Sequence, residues 1–400
     1  MPNRILVLSA SVGAGHLRAA QAVELALREL CPDAVVKSLD VLKLTNPTFR
    51  KLYSEAYLEF VNKAPHVLGM FYDLLNQRRT KSPGEHLRAA FQQLNLLKLC
   101  DLLECGSWDV IVNTHFLPTE IIAQLRRRRK IRTPQITVTT DFETHRAWAH
   151  QPCEQYCTAT EEGAAYLPHF GIDPTTITVT GIPIHPVFSR PKDRADCVKR
   201  QRLRGDRPIV LQLAGGFGVG PIEKLFRAIL QVEQPIELVA VAGRNEKVRK
   251  QLERVNVAAR HRATVLGFTD QIDELMAAAD VVVTKPGGLT SSEILARGAA
   301  MVIVNPIPGQ ESRNSDYLLE SGAAIKANNL ATLPLKLTRL LSDPVRLESL
   351  KSNARRIAKP QAAFDIARIA LGIASQAAIP STERSKGGAN ERAHRVTPGV

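Results

Sequence analysis

Nothing in the 400-residue chain approaches the roughly eighteen uninterrupted apolar residues that a membrane-crossing helix requires, so no such helix is expected. The opening apolar run, Arg4 to Leu8, is too short for the core of a signal peptide and enters a glycine turn at once. That combination reads as a protein made and kept in the cytoplasm. Aromatics are scarce, at 5%, while 44% of residues are apolar, which suits Ala-, Leu- and Val-rich helices packed on strands. Six cysteines are scattered without a ladder of spacings. Cys153 and Cys157 are four apart, a spacing that would share one helix face, but no second Cys/His pair stands near them to complete a metal site. Acidic residues are also few: 39 against 53 Lys and Arg, a formal charge of +14. Such a field favours nucleic acid, anionic lipid or phosphate-bearing ligands, or is merely solvated, and composition does not choose.

What is present is alternation. "RILVLSA", "AVVKSLDV", "WDVIVNTH", "PQITVTTD", "QYCTAT" and "TITVTGIPI" read as short buried strands, most followed by helical periodicity. A second series runs through "PIVLQLAGG", "IELVAVAG", "ATVLGF", "ADVVVTK" and "AMVIVN". Nearly continuous apolar strands separated by helices imply parallel sheets covered on both faces. The expected fold class is therefore α/β, with two Rossmann-like domains and a cleft between them. Residues 1–188 form the first domain and 208–358 the second, joined by a basic linker over 189–207 that has room for a helix. A C-terminal helix over 359–376 is expected to return to the first domain, and 377–400 reads as a disordered tail.

In open parallel sheets ligands bind beyond the carboxyl ends of the strands, and each candidate below follows such an end. "SASVGAGHLR" places Gly13 and Gly15 around the first turn. A dinucleotide fingerprint needs a small residue where Arg18 stands, so the NAD reading is weak, and no Gly-Lys-Ser/Thr follows to make a P-loop. His16, Ala20, Val23, Leu27 and Leu30 form one helical stripe, so His16 opens the buried face of a helix. It is either a core-edge histidine bonded to a carbonyl or a general base. A helix N-terminus keeps an imidazole neutral, as a base requires.

In "TKPGGLTSSE", Gly287 and Gly288 turn the chain so that backbone amides and a helix start make an anion site for a diphosphate. Thr290 and Glu293 form T-x-x-E, which is a capping box on one reading and a carboxylate for ribose hydroxyls on the other. In "NPIPGQESRN", Gln310, Glu311 and Asn314 suit sugar hydroxyls, or an ordinary helix start.

These segments resemble the signature of the monogalactosyldiacylglycerol synthases and the processive diacylglycerol glucosyltransferases over roughly residues 4–375. "SASVGAGHLRAA" is similar to their Gly-rich histidine turn. "TTDFETHRAW" matches their T-D-x-x-T-x-H-x-x-W pattern through Thr140, Asp141, Thr144, His145 and Trp148, and "TKPGGLTSSE" and "PGQExxN" match their C-terminal blocks. The resemblance implies a GT-B fold, a UDP-sugar in the second domain, a diacylglycerol or related glycolipid acceptor in the first, inversion at the sugar carbon, and no cofactor or obligatory metal. It implies His16 as base with Asp141 second; Gly13, Gly15, Thr144, His145 and Trp148 on the acceptor side; and Gly287, Gly288 and Thr290 at the diphosphate. Glu293 would hold ribose, and Gln310, Glu311 and Asn314 the sugar or nearby ribose. Gly267 and Phe268 would frame the uracil, and Gly215 and Gly216 would admit phosphate closely. A departure is Phe217, where the family often has an acidic residue nearby.

Aromatic and basic residues from Asn46 to Lys81 suit a bilayer surface or helices packed on the first domain, and the resemblance implies acceptor and membrane contact here, with Tyr53 and Tyr57 on the acceptor side. Arg126–Lys130 is a helix-end charge run that an anionic leaflet would also hold. The reading is a peripheral protein at the inner face of a membrane. No stacking or DNA-reading motif accompanies the charge, so nucleic acid is not expected, and oligomeric state has no readable signature. Two alternatives stand beside it: an N-acetylglucosaminyltransferase acting on a polyprenyl-linked peptidoglycan intermediate, and a non-catalytic nucleotide-sugar-binding regulator.

Overall fold

The computed structural model describes residues 2–11, 13–46, 97–213 and 221–377. Tyr53 and Tyr57 with most of the Asn46–Lys81 segment, Gly215 and Gly216, and the tail from 378 lie outside the described residues.

Two six-stranded parallel sheets carry the fold. The first holds β1 (Arg4–Ser9), β2 (Val35–Asp40), β3 (Val110–Asn113), β4 (Gln135–Val138), β5 (Gln155–Thr158) and β6 (Ile177–Val179), in the order β2-β1-β3-β4-β5-β6. The second holds β7 (Ile209–Leu213), β8 (Glu237–Val241), β9 (Arg262–Leu266), β10 (Val281–Thr284), β11 (Ala300–Val304) and β12 (Ala324–Ala327), in the order β12-β11-β10-β7-β8-β9. Each order reverses once, between β1 and β3 and between β10 and β7, and such reversals open a crevice at the strands' carboxyl ends. β1, β3, β7 and β11 are buried along almost their whole length, as strands covered on both faces must be.

The helices that position the site are α1 (Ala14–Leu30), α2 (Phe116–Arg127), α3 (Arg194–Arg200), α4 (Gly288–Arg297), α5 (Gln310–Glu320) and α6 (Ala362–Ala377). α6 packs on α1, β1 and β3 of the first sheet, with Ala363, Ile366, Ala367, Ala370 and Ala374 against Ala20, Val23 and Leu27. Alanines on both faces let the two helices approach closely. α3 is tied to the second sheet by the ion pair of Arg194 with Asp280, 2.8 Å, and Lys192 just before it reaches Asp273 at 2.7 Å.

Every strand read from the sequence is present, and β12 was missed: it is short, sits at an edge and has half-buried Ile325 and Lys326 at its centre. The helix-face reading of the two cysteines is corrected. Cys157 is a buried strand residue of β5, and Cys153 precedes it, with its thiol 3.3 Å from Thr137 Oγ1. Among the described residues no helix is long and apolar enough to cross a membrane.

Candidate active site at two switch points

At the first switch point, β1 feeds α1 through Gly13, whose φ of +92° needs a residue without Cβ. His16 follows in the first turn of α1. The neighbouring strand β3 ends in Thr114 and His115, which open α2. Thr114 holds His16 at two places: its hydroxyl donates to the His16 carbonyl at 3.0 Å, and its own carbonyl lies 3.1 Å from His16 Nδ1. A carbonyl only accepts, so Nδ1 carries the hydrogen and shares it with Thr140 Oγ1 at 2.9 Å. The lone pair of the neutral ring is therefore on Nε2. Burial lowers the His16 pKa to about 4, against the raising effect of the Thr114 carbonyl, so the imidazole is uncharged at neutral pH.

His115 is a functional candidate that sequence reasoning missed. Its ring meets His16 edge-on at 4.6 Å, and its Nδ1 accepts from the Leu117 amide at 3.0 Å, capping α2. Burial, then the positions of His16 and His145, keep it neutral. Its placement after the carboxyl end of β3, beside the switch point, was the available signal. Trp148, 1% exposed, lies under these rings, 6.4 Å from His16 and 5.9 Å from His145. Burial lowers the His145 pKa to about 3. Thr144 is fully buried, close enough to Gly163 that a methyl there would lie 2.8 Å from its hydroxyl oxygen. It packs inside the first domain, with its hydroxyl buried and without a hydrogen-bond partner.

At the second switch point, β10 ends in the Gly287–Gly288 turn and α4 begins. The two glycines differ. A Cβ on Gly287 would meet nothing within 4 Å, whereas one on Gly288 would lie 2.1 Å from the Thr140 carbonyl oxygen. Gly288 is therefore where the second domain closes on the first, and Gly287 faces open space. Gly15 has room for a methyl, 3.5 Å from Leu289, so its smallness is not a packing requirement.

The capping-box reading of Glu293 is overturned. α4 starts at Gly288, so Thr290 is already inside the helix, and no side chain caps it. Glu293 instead pairs with Arg18 of α1 across the cleft. Burial raises its pKa to about 7, with Arg18 acting in the opposite direction.

The segment Thr140–Glu143 is gripped by α5. Asn314 Nδ2 donates to Asp141 Oδ1 at 2.9 Å, Asn314 Oδ1 accepts from the Phe142 amide at 2.9 Å, and Gln310 Nε2 donates to the Glu143 carbonyl at 2.8 Å. Phe142 stacks on Tyr317 at 4.8 Å, and Arg313 pairs with Glu143. Hence the Asn314 carboxamide serves domain docking rather than facing an open sugar site, while Gln310 leaves a buried Oε1 without a partner. Glu311 braces its own loop by accepting from the Ile307 amide at 2.7 Å. Burial raises the Asp141 pKa to about 6, opposed by the Asn314 bond. Further along the second sheet, Phe268 is 60% exposed after β9, with the Arg244 guanidinium 4.9 Å above its ring and Gly267 beside it. No group of three or more His, Cys, Asp or Glu among the described residues is arranged to hold a metal ion.

Two facing Rossmann-like domains, with titratable groups at one switch point and a glycine turn at the other, make a GT-B fold. Residues 16–184 match the family model of monogalactosyldiacylglycerol (MGDG) synthase, and residues 193–357 that of glycosyl transferases group 1. The processive diacylglycerol beta-glucosyltransferase of Bacillus licheniformis is 28% identical over 362 residues, spanning 89% of this chain and 91% of that protein. That of Bacillus subtilis is 28% identical over 360 residues, spanning 88% and 91%. The chain is thus similar to the monogalactosyldiacylglycerol synthases over its first half and to the processive diacylglycerol glucosyltransferases over most of its length. Solved structures share the fold: Acinetobacter baumannii MurG at TM-score 0.63 and 17% identity, over 93% of this chain and all of that one. Anabaena Alr3699/HepE in complex with UDP-glucose aligns at TM-score 0.54 and 17% identity, over 93% and 98%.

Proposed function

We propose that this chain transfers a hexose, glucose or galactose, from a UDP-sugar to diacylglycerol or a related glycolipid, inverting the sugar carbon. The observation that carries the reaction is the His16 ring: Nδ1 faces Thr114 and Thr140, which puts the lone pair of the neutral imidazole on Nε2, in the first turn of α1 at the switch point. In a single displacement the acceptor hydroxyl attacks the anomeric carbon from the face opposite UDP and gives its proton to His16 Nε2. Asp141, one residue from Thr140 and titrating near 6, assists or substitutes. On the other wall, the amides of the Gly287–Gly288 turn and the α4 N-terminus stabilise the leaving diphosphate without a metal ion. Glu293 accepts from ribose, Phe268 packs on uracil, and the free Oε1 of Gln310 takes a donor hydroxyl.

We place the protein at the inner face of the membrane, held by the Asn46–Lys81 segment and the basic end of α2. Two cations of that end are partly neutralised, Arg126 by Glu154 and Lys130 by Glu104. Arg127 and Arg129 of the same run are exposed and add to the attraction of an anionic leaflet.

The test is UDP release by purified protein on diacylglycerol-containing anionic vesicles, with UDP-glucose and UDP-galactose side by side and lipid products resolved by thin-layer chromatography. Lipid-dependent release that collapses in His16→Ala supports the reading and names the sugar. Release unchanged in that variant moves the base to Asp141. UDP-sugar binding without lipid-dependent release overturns the enzymatic reading.

A further inference from the structure

Arg18 and Glu293 stand on opposite walls of the cleft, and the guanidinium Nη2 donates to Glu293 Oε1. The partners are unequal: the Glu293 side chain is 2% exposed and the Arg18 side chain 42%. The carboxylate is fixed within α4, and the guanidinium is the member free to swing. Around them two helices begin, α1 at Ala14 and α4 at Gly288, with Gly15 and Leu289 side by side, so two positive helix ends converge on the same space. The turn-facing side of that space, at Gly287, is open.

We propose that Arg18 is an exchange residue for the donor: it occupies Glu293 in the empty cleft and moves onto the diphosphate when the ribose hydroxyls take its place on the carboxylate. The proposal rests on the UDP-sugar reading and deepens it. Its logic is charge conservation. A ribose diol that takes Glu293 Oε1 displaces the guanidinium, which is then free to meet another anion. A nucleoside diphosphate brings the replacement anion with it, between the two helix ends and within the swing of the same side chain. A bare nucleoside brings none. The ion pair thus makes the site discriminate for phosphate before any sugar is read.

The consequence is a split in sign. Calorimetric titration of uridine and of UDP, on the full chain, separates the two effects in Arg18→Met, which keeps the apolar stem. Uridine is expected to bind Arg18→Met more tightly than wild type, because nothing competes for Glu293. UDP is expected to bind it about tenfold more weakly, because a charged hydrogen bond to the diphosphate is gone. Arg18→Lys, retaining the charge, keeps most of the preference for UDP. In a Glu293→Gln background the Arg18→Met change no longer improves uridine binding. Equal weakening of both ligands by Arg18→Met, or no change in either, overturns the exchange. If wild type binds neither ligand, the UDP-sugar reading falls first and the exchange with it. Circular dichroism melting of each variant establishes that the fold persists.

Discussion

The Asn314 carboxamide binds two consecutive residues of the opposite domain at once, donating to Asp141 Oδ1 and accepting from the Phe142 amide, both at 2.9 Å. Because its hydrogen bond favours the charged form of Asp141, Asn314→Ala should push the Asp141 pKa above its value of about 6. In the proposed reaction the deprotonated carboxylate is the useful form, so the acid limb of a kcat/KM pH profile should move to higher pH. Asp141→Asn should abolish the limb near 6 altogether.

His16→Ala should lower kcat by about 10²–10⁴-fold, the usual contribution of a positioned base. Thr140→Val is the finer test. It keeps the shape but removes one of the two acceptors holding Nδ1–H, and should cost about tenfold in kcat with KM little changed. Thr140→Ser should restore the rate. Equal kinetics for the Val and Ser variants would remove Thr140 from the orientation of the ring.

Gly287 and Gly288 should separate. Gly288→Ala drives a methyl to 2.1 Å from the Thr140 carbonyl and should destabilise the protein by about 1–3 kcal/mol. Gly287→Ala meets nothing within 4 Å and has ordinary φ, so its melting temperature should hold while the KM for UDP-sugar rises. Differential scanning calorimetry and steady-state kinetics on the same preparations distinguish the two.

Glu293 should be a stability liability. Burial holds its folded pKa at about 7, above the ordinary carboxyl value of 4.5, so the folded state holds the proton more tightly than the unfolded chain. Stability is therefore lost as pH rises from about 4.5 through 7. Glu293→Gln should recover about 1–3 kcal/mol above pH 7 and nothing towards pH 4, where the native carboxyl is protonated. The Arg18 left behind is well exposed, so its loss of partner costs little. Thermal melts across that pH range check the sign.

The strands and the sheet class were legible because a strand covered on both faces writes an unbroken apolar run, as in Ile5–Leu8 and Val281–Val283. Gly13, His16 and the glycine turn were legible because they follow such runs directly. Partnerships across the cleft were not. T-x-x-E is a sound local signal for a helix cap, and only the closure of α4 onto α1 assigns Glu293 to Arg18 instead. Asn314 and Gln310 carry sugar-binding chemistry in sequence, yet the approach of Thr140–Glu143 claims the whole Asn314 amide and half of Gln310's. His115 carried no pattern of its own, since its significance comes from a neighbouring strand. β12 was silent because an edge strand of four residues with a lysine at its centre lacks the apolar continuity of the rest.

α6 packs under α1, the helix that carries His16 and Arg18. Residues 14–30 leave the ribosome hundreds of residues before 362–377, so the His16 turn has no finished floor until that helix has been made. The same arrangement means that the first domain is not a contiguous stretch of gene. A fragment cut at the linker would expose the alanine and leucine face of α1 to water, and a separately expressed second half would carry the missing helix away with it.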